Sequence, residues 1–328
     1  MLLGCCVCFL LGAAPQEKAE ERLYDRLVSV INGYPVTLYD LKRTQQEPNL
    51  IPMFLGLQPG EPEERNQDWA LERTIQDELA IQAAITLGVD ASADLAAGRL
   101  RDLQRRNGWD SAQYLNALQQ FGFSSHEAAR RAFQRGISLA QIIRIKVGSR
   151  VNVSEKEVEE RVRRVYFDGK EKEVERRQIF VAVPMIVRPS VELELHRFMV
   201  WLQGAIKKGE LTFEEGARQY SQSAEGKEGG SLGWTRRGTF QFDAPAFDLE
   251  PGQVSEVVRS FMGFHILSVT GSRRVDVDSP QRIRRAISDK LYESRFRREL
   301  EKWYEMLRSN AVVRLPTFEP LGSFAPEG

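Results

Sequence analysis

Residues 279 to 309 carry an apolar stripe that nothing near them in the chain can cover. Ile283, Ile287, Leu291, Phe296, Leu300, Trp303 and Leu307 recur at helical spacing, with Arg, Lys and Glu filling the other positions. A helix of that length and pattern needs a partner for its stripe. The segment AVVRL at 311–315 follows it and reads as a last strand. At the other end of the chain, LVSVINGYPVTLYDL at 27–41 reads as strand, turn, strand. Val28 and Val30 alternate with Ser29, and Asn32-Gly33 is a hairpin turn pair because both residues tolerate positive φ. An isolated hairpin is marginal and needs a neighbouring strand. Each end supplies what the other lacks, so the C-terminal helix and strand are expected to return to the N-terminal domain. No short-period internal repeat offers another partner.

Between these ends the texture changes once. Thr37 with Asp40 three residues on resembles a capping box, and 46–64 is a loop rich in proline and glycine. Leu71, Ile75, Leu79, Ala83 and Leu87 predict a helix over 65–87, and further helices follow through ADLAAGRLRDLQRR, from Ser111 to Gly122, from Ser124 to about Val147 and from Ser154. At EVERRQIFVAVP (173–184) the chain switches to a strand. Helices over 190–208 and 212–221, a glycine-rich stretch, a helical turn in APAFDLEPG and paired strands in SEVVRSFMGFHILSVTG complete a compact α+β module. The expected division is a helical domain with the hairpin at 21–172, the α+β module at 173–272, the returning helix and strand at 273–316, and a tail at 317–328.

Charge excludes one class of partner. Lys plus Arg and Asp plus Glu both total 46, so no global attraction draws the chain to nucleic acid. Pairs such as Arg130-Arg131 and Arg176-Arg177 read as solvated helix or strand faces. The three cysteines, Cys5, Cys6 and Cys8, all precede residue 10, which leaves the folded body no thiol nucleophile, disulfide or cysteine-based zinc site. The opening MLLGCCVCFLLGAAPQEKAEE is an apolar run followed by small residues and then charge, which resembles the end of a secretory signal over residues 1–20. It is too short to span a bilayer, and no later stretch is long and apolar enough to do so. LLGC at 2–5 resembles a lipoprotein box, so a translation start upstream would make Cys5 a lipid acceptor. The other reading is a plain cleaved signal. Either way the expected address is outside the cytoplasm.

AEGKEGGSLGW, residues 224–234, is the stretch a search for phosphate loops would stop at. A Walker loop needs Ser or Thr after its Gly-Lys and a helix after that. Here Glu228 follows Gly226-Lys227, which places a carboxylate where the magnesium-binding hydroxyl should be. The following SLGWT favours a strand, so no helix N-terminus is offered to a phosphate. The nucleotide reading is rejected.

The same stretch opens a different series. A glycine pair, Leu-Gly-aromatic, a glycine some five residues on, APAF, Leu-x-x-Gly-x-Val-Ser and Gly-x-His-Ile occur in order over about fifty residues. That series resembles the parvulin-type peptidyl-prolyl isomerase domain, and the match extends more weakly back to the strand at 174–183. The opening VSVINGYPVTLYDL, DELAIQAAITLGV and the closing helix and strand around one such module are similar to the SurA-type periplasmic chaperones. The resemblance implies an α+β protein: a mostly helical SurA-like N-terminal domain completed by the C-terminal helix and strand, with one inserted parvulin-type (FKBP-like) domain.

It also implies the chemistry. An X-Pro bond has nearly balanced isomers behind a barrier of about 18–20 kcal/mol. An isomerase needs no nucleophile, metal or cofactor; it needs an apolar slot and polar groups that favour the twisted amide. Parvulins place two histidines, a Cys or Asp, and a Ser or Thr around such a slot. Carried over residue by residue, the second histidine is His265, the first falls on Gln178, the Cys/Asp position on Ser223, and the Ser/Thr position on Met262. The slot residues are Leu232, Phe240 and Phe242, with Met262 adding apolar bulk. Gln178 and Ser223 keep hydrogen-bonding capacity, whereas Met262 is only a weak acceptor. Without the motif around it, His265 in an alternating strand reads as a core residue, and Phe240 and Phe242 read as packing. His126 and His196 lie on helices without ligand-spaced partners and receive no role.

The expected function is therefore an exported, periplasmic chaperone or foldase that binds unfolded or extended polypeptides, outer-membrane protein precursors among the candidates. Its isomerase activity is expected to be weak or absent. The alternatives are a working isomerase that uses Gln178 and Ser223 as substitutes, and a non-catalytic envelope scaffold.

Overall fold

The computed structural model describes residues 25–166, 169–240, 242–277 and 279–315. The signal-like segment at 1–20, with Cys5, and the tail at 317–328 lie outside the described residues. β1 (Leu27–Ile31) and β2 (Tyr34–Thr37) form the hairpin, and Asn32 and Gly33 both adopt positive φ, 51° and 88°. Thr37 and Asp40 close a capping box on α1 (Leu38–Gln46). The proline-rich segment after it departs from the expected plain loop. It contains a five-residue helix, α2 (Ile51–Leu55), because Pro52 suits a first helical turn and Leu50 and Ile51 find buried places. Phe54 then meets Phe133 edge to face at 5.7 Å.

Five helices follow: α3 (Gln67–Thr86), α4 (Ala93–Arg106), α5 (Ser111–Phe121), α6 (His126–Lys146) and α7 (Glu155–Val165). Each starts behind a polar residue, Asn66, Ser92, Asp110, Ser125 and Ser154, whose side chain accepts an otherwise orphaned backbone N–H of the first turn. α6 is the central packing element. Its Phe133 and Ile137 meet Leu100 and Leu118, and its Leu139, Ile142 and Ile143 belong to a second cluster with Ala80 and Ala84.

The α+β part begins with a long strand, β3 (Lys170–Ala182), then α8 (Pro189–Lys207), α9 (Phe213–Tyr220), β4 (Ser231–Arg236), β5 (Val258–Arg259) and β6 (Gly263–Asp276). The strands form an antiparallel sheet in the order β4-β3-β6-β5. One face of β3 and β6, with Ile179, Val181, Phe264 and Ile266, packs on Met199, Leu202 and Ile206 of α8 and Phe213 and Ala217 of α9. The other face, with Val174, Leu267 and Val269, packs on Phe242, Ala246 and Phe247.

The chain then returns. α10 (Pro280–Ser309) places Phe296 and Trp303 in the cluster with Ile51, Ala80, Ala84 and Ile142. β7 (Val313–Arg314) pairs with the free edge of β1, giving a sheet in the order β2-β1-β7. The stripe and the hairpin complete each other as their sequences require. α10 also grips the α+β part at its first turns: Arg282 donates to both oxygens of the buried Glu171, at 2.8 and 2.9 Å. Among the described residues, no helix is long and apolar enough to cross a membrane.

Candidate functional site

The second face of the β3–β6 ribbon gathers the candidate residues. Phe180 lies opposite His265, Gln178 opposite Leu267 and Arg176 opposite Val269. Residues two apart on a strand share a face, so Arg176, Gln178 and Phe180 stand in one row beside His265. The segment after β4 folds across this row. Asp243 holds it there, its carboxylate accepting the backbone N–H groups of Gly238 and Phe240, each at 3.1 Å. Burial raises the pKa of Asp243, and those two N–H groups, with Arg176 and Arg237, oppose the rise.

His265 is buried, with 1% of its surface exposed. The ring of Phe242 lies against it, centroids 3.8 Å apart and planes 14° from parallel, and Phe180 meets it at 4.9 Å. Its Nε2 is 2.8 Å from the hydroxyl of Ser260. That hydroxyl also accepts the N–H of Met262 at 3.2 Å. Burial, reinforced by the charges of Arg176 and Arg259, pushes the imidazole pKa down to about 3, so the ring is neutral. Arg259 is tied to the same corner: it donates to the carbonyl oxygen of Ser260 and pairs with Glu192 at 2.8 Å.

The other sequence candidates separate into groups. Gln178 is buried on the site face and its Oε1 has no partner among the described residues. Ser223 is half-buried and its hydroxyl bonds to that of Ser221 at 3.1 Å, which in turn accepts the N–H of Phe180. Leu232 is half-buried on β4, at the irregularity where β4 pairs with Arg176 and Arg177. Phe240 is half-buried beside Phe242, ring centroids 5.5 Å apart. Two expectations need correction. Met262 is 57% exposed at the turn between β5 and β6, so the hydroxyl against His265 comes from Ser260 and is kept rather than lost. Phe242 is not the wall of an open slot but the cover on the imidazole.

The glycine pair has its physical reason here. Gly230 has φ of 78°, and a Cβ on it would sit 2.2 Å from the carbonyl oxygen of Gln178. Its own carbonyl accepts the N–H of Gln178 at 2.8 Å. Only glycine lets the two backbones approach this closely while turning into β4.

Residues 195–271 match the rotamase family described as the PPIC-type PPIASE domain. The chain carries a PPIC-type rotamase domain. Beyond it, the chain is 29% identical over 270 residues to a protein named Chaperone SurA from Alkalilimnicola ehrlichii, covering 80% of this chain and 60% of that one. It is 27% identical to the Chaperone SurA of Nitrosococcus oceani, covering 76% and 58%. This chain thus spans about three-fifths of the length of those two curated relatives. Among solved structures, a PpiC-type peptidyl-prolyl cis-trans isomerase domain is 27% identical over 33% of this chain and 97% of that one, with a TM-score of 0.28. A structure from a study of PEB4 and Cj1289, SurA-like chaperones of Campylobacter jejuni, covers 89% of this chain and 100% of its own, with 13% identity and a TM-score of 0.43.

At this site the sequence reading missed Ser260, Arg176, Phe180 and Asp243. For Ser260 the signal lies in strand pairing, which the sequence does not display. Val258 pairs with His265 across the hairpin, so Ser260, two residues on, shares the histidine's face. Arg176, expected on a solvated strand face, is fully buried.

Proposed function

We propose that the chain is an exported chaperone of the periplasm that binds unfolded or extended polypeptides and whose rotamase domain holds prolyl segments with weak or absent isomerase activity. Outer-membrane protein precursors fit as clients. The chaperone half is supported by the relatives named Chaperone SurA. It is supported physically by a cleft of about 540 Å³ between the helical part and the rotamase domain. Pro52, Met53, Trp69, Met185 and Val187 line it together with Arg259. A cleft of this size with mixed apolar and charged walls suits a short extended segment.

The observation that carries the weak-isomerase half is the Phe242 ring on the face of His265. Isomerisation requires groups that favour the twisted amide. Here the imidazole is neutral, covered and engaged with Ser260, and Gln178 and Ser223 occupy the positions where the resemblance places a histidine and a Cys or Asp. The test has two arms. Suppression of aggregation of unrelated unfolded proteins is expected at near-stoichiometric chain. A proline-limited peptide assay is expected to give a rate close to background. A rate far above background that collapses in His265→Ala would sink the inactive reading, and failure to suppress aggregation would favour a scaffold.

A second reading, a working isomerase, is favoured by the intact His265–Ser260 hydrogen bond. It expects Gln178→Ala to lower the rate without unfolding the protein. Export by a cleaved signal, or anchoring through lipid on Cys5, is resolved by mass spectrometry of the mature N-terminus.

A further inference from the structure

The cleft between the helical part and the α+β part carries charges that do not balance. Three arginines line it, and each already holds an acceptor. Arg65 lies over the ring of Trp69 and donates to the carbonyl oxygens of Thr44 and Glu47 at 3.1 and 2.7 Å. Arg73 pairs with Asp77 at 3.1 Å, and Arg259 with Glu192 at 2.8 Å. The lining carboxylates Glu61, Glu63 and Glu72 stand differently. All three residues are exposed, and none has a cation within ion-pair distance among the described residues. The hydrogen bonds that two of them accept come from neutral donors: Glu63 takes the indole N–H of Trp69, and Glu72 takes the amide of Gln76 at 3.3 Å. Asp77 and Glu192 neutralise two of the arginines, so Arg65 alone stands against three carboxylates. The surplus in the cleft is negative, and it lies beside the apolar surface of Met53, Trp69 and Met185.

We propose that the cleft selects extended polypeptide segments that carry Lys or Arg beside apolar side chains, with Glu61, Glu63 and Glu72 as the groups that hold the cations. This rests on the reading of the cleft as the polypeptide site of a chaperone. Charge complementarity across an interface sets which partner is accepted and how fast it arrives, and a like charge placed there is rejected. The arginines cannot reverse the preference without losing acceptors they already hold. The carboxylates lose nothing of that kind when a cation arrives. Because they are exposed, each new ion pair adds little by itself, and the selectivity is the sum of the three and sensitive to salt. The apolar walls hold the rest of the segment, since long basic side chains lay their methylenes on apolar surface while the charged ends reach outward.

The test is titration of the whole chain with fluorescent peptides built on one framework of Leu, Phe, Val and Ser, with three positions filled by Lys, by Gln or by Glu. None contains proline, so the titration does not read prolyl recognition. A benzophenone on each peptide reports where it sits and is expected to mark Met53 or Met185. The Lys peptide is expected to bind about tenfold more tightly than the Gln peptide at low salt, the scale of three exposed ion pairs, and the Glu peptide more weakly than either. The difference is expected to shrink in about 0.5 M salt. It is expected to vanish in the triple variant Glu61→Gln, Glu63→Gln, Glu72→Gln. It should survive in Glu160→Gln, Glu301→Gln, Glu305→Gln, which removes the same charge from exposed positions outside the cleft. Equal binding of the three peptides overturns this proposal alone and leaves the cleft as a polypeptide site. Tighter binding of the Glu peptide overturns it as well and makes the arginines the groups that face the client. A Lys preference that persists in the cleft variant places the selectivity elsewhere and also overturns it. Peptides that fail to bind, or that bind without marking Met53 or Met185, overturn the reading of the cleft, and this proposal with it.

Discussion

The ring of Phe242 is stacked on the imidazole of His265, with centroids 3.8 Å apart and planes 14° from parallel. The contact decides what the histidine can reach, because that face of the ring is closed to any substrate amide while the phenyl stays. Phe242→Ala is expected to act in two directions. Proline-limited peptide turnover rises above wild type as the imidazole is uncovered. Stability falls by about 3–5 kcal/mol, as for other buried phenylalanines cut to alanine. A peptide assay and a denaturant titration on the same preparation read both. Loss of stability without any gain in rate would reduce Phe242 to packing.

His265 gives the fold an acid-sensitive component. Its pKa in the fold, about 3, lies below the ordinary value of 6.5, because burial and the charges of Arg176 and Arg259 disfavour the imidazolium. The unfolded chain therefore takes up the proton first. The histidine's contribution is fully present above about pH 6.5 and is lost as the pH falls from there toward 3, by at most about 1.4 kcal/mol per pH unit. His265→Gln keeps an amide nitrogen near Ser260 and removes the titration. Thermal melts between pH 7 and pH 4 should show wild type losing more stability than the variant. Parallel losses would place the acid sensitivity elsewhere.

Much of the architecture was legible because it is written in local patterns. The Trp303 stripe demanded a partner, Asn32-Gly33 demanded a hairpin, and GGSLGW with GFHIL marked the rotamase domain. What was not legible depended on pairing across the chain. The hydroxyl next to His265 was sought immediately before the Gly-x-His strand, at Met262. The β5–β6 turn instead swings Met262 outward and Ser260 inward, its N–H bonded to the carbonyl of Gly263 at 2.8 Å. Arg176 follows the same logic. Charge in a sequence reads as exposure, and only the Phe240–Asp243 segment folding over the strand buries it. The helix at Ile51–Leu55 was hidden by prolines, which break helices in their interior but suit their first turn.

Gly230 and Gly233 separate steric need from backbone conformation. Both have positive φ, 78° and 65°. A Cβ on Gly230 would strike the Gln178 carbonyl oxygen at 2.2 Å, whereas nothing lies within 4 Å of one on Gly233. Gly233→Ala should cost only the left-handed backbone strain, about 1–2 kcal/mol. Gly230→Ala should cost clearly more and should break the Gln178 N–H bond to Gly230. Hydrogen exchange at the Gln178 amide and the unfolding midpoints test the contrast. Equal losses in the two variants would refute the close-approach argument.

Trp303 joins the end of the chain to its beginning. It is 1% exposed and lies in the cluster with Ile51, Ala80, Ala84 and Ile142. One helical turn further on, Leu307 touches both that cluster and the one holding Ile31, Val36 and Leu79, and β7 follows. Cutting Trp303 to alanine should therefore cost about 3–5 kcal/mol and act on two structures at once. The helical part loses its lid of aromatic packing, and β7 loses the anchor that keeps Val313 and Arg314 against β1. The α+β part has its own core between α8, α9 and the β3–β6 ribbon. Trp303→Ala should then melt in two steps, with amides of β1 exchanging early and amides of β3 and β6 staying protected. A single transition with uniform loss of protection would mean that the two parts unfold as one unit and that α10 is structural to both.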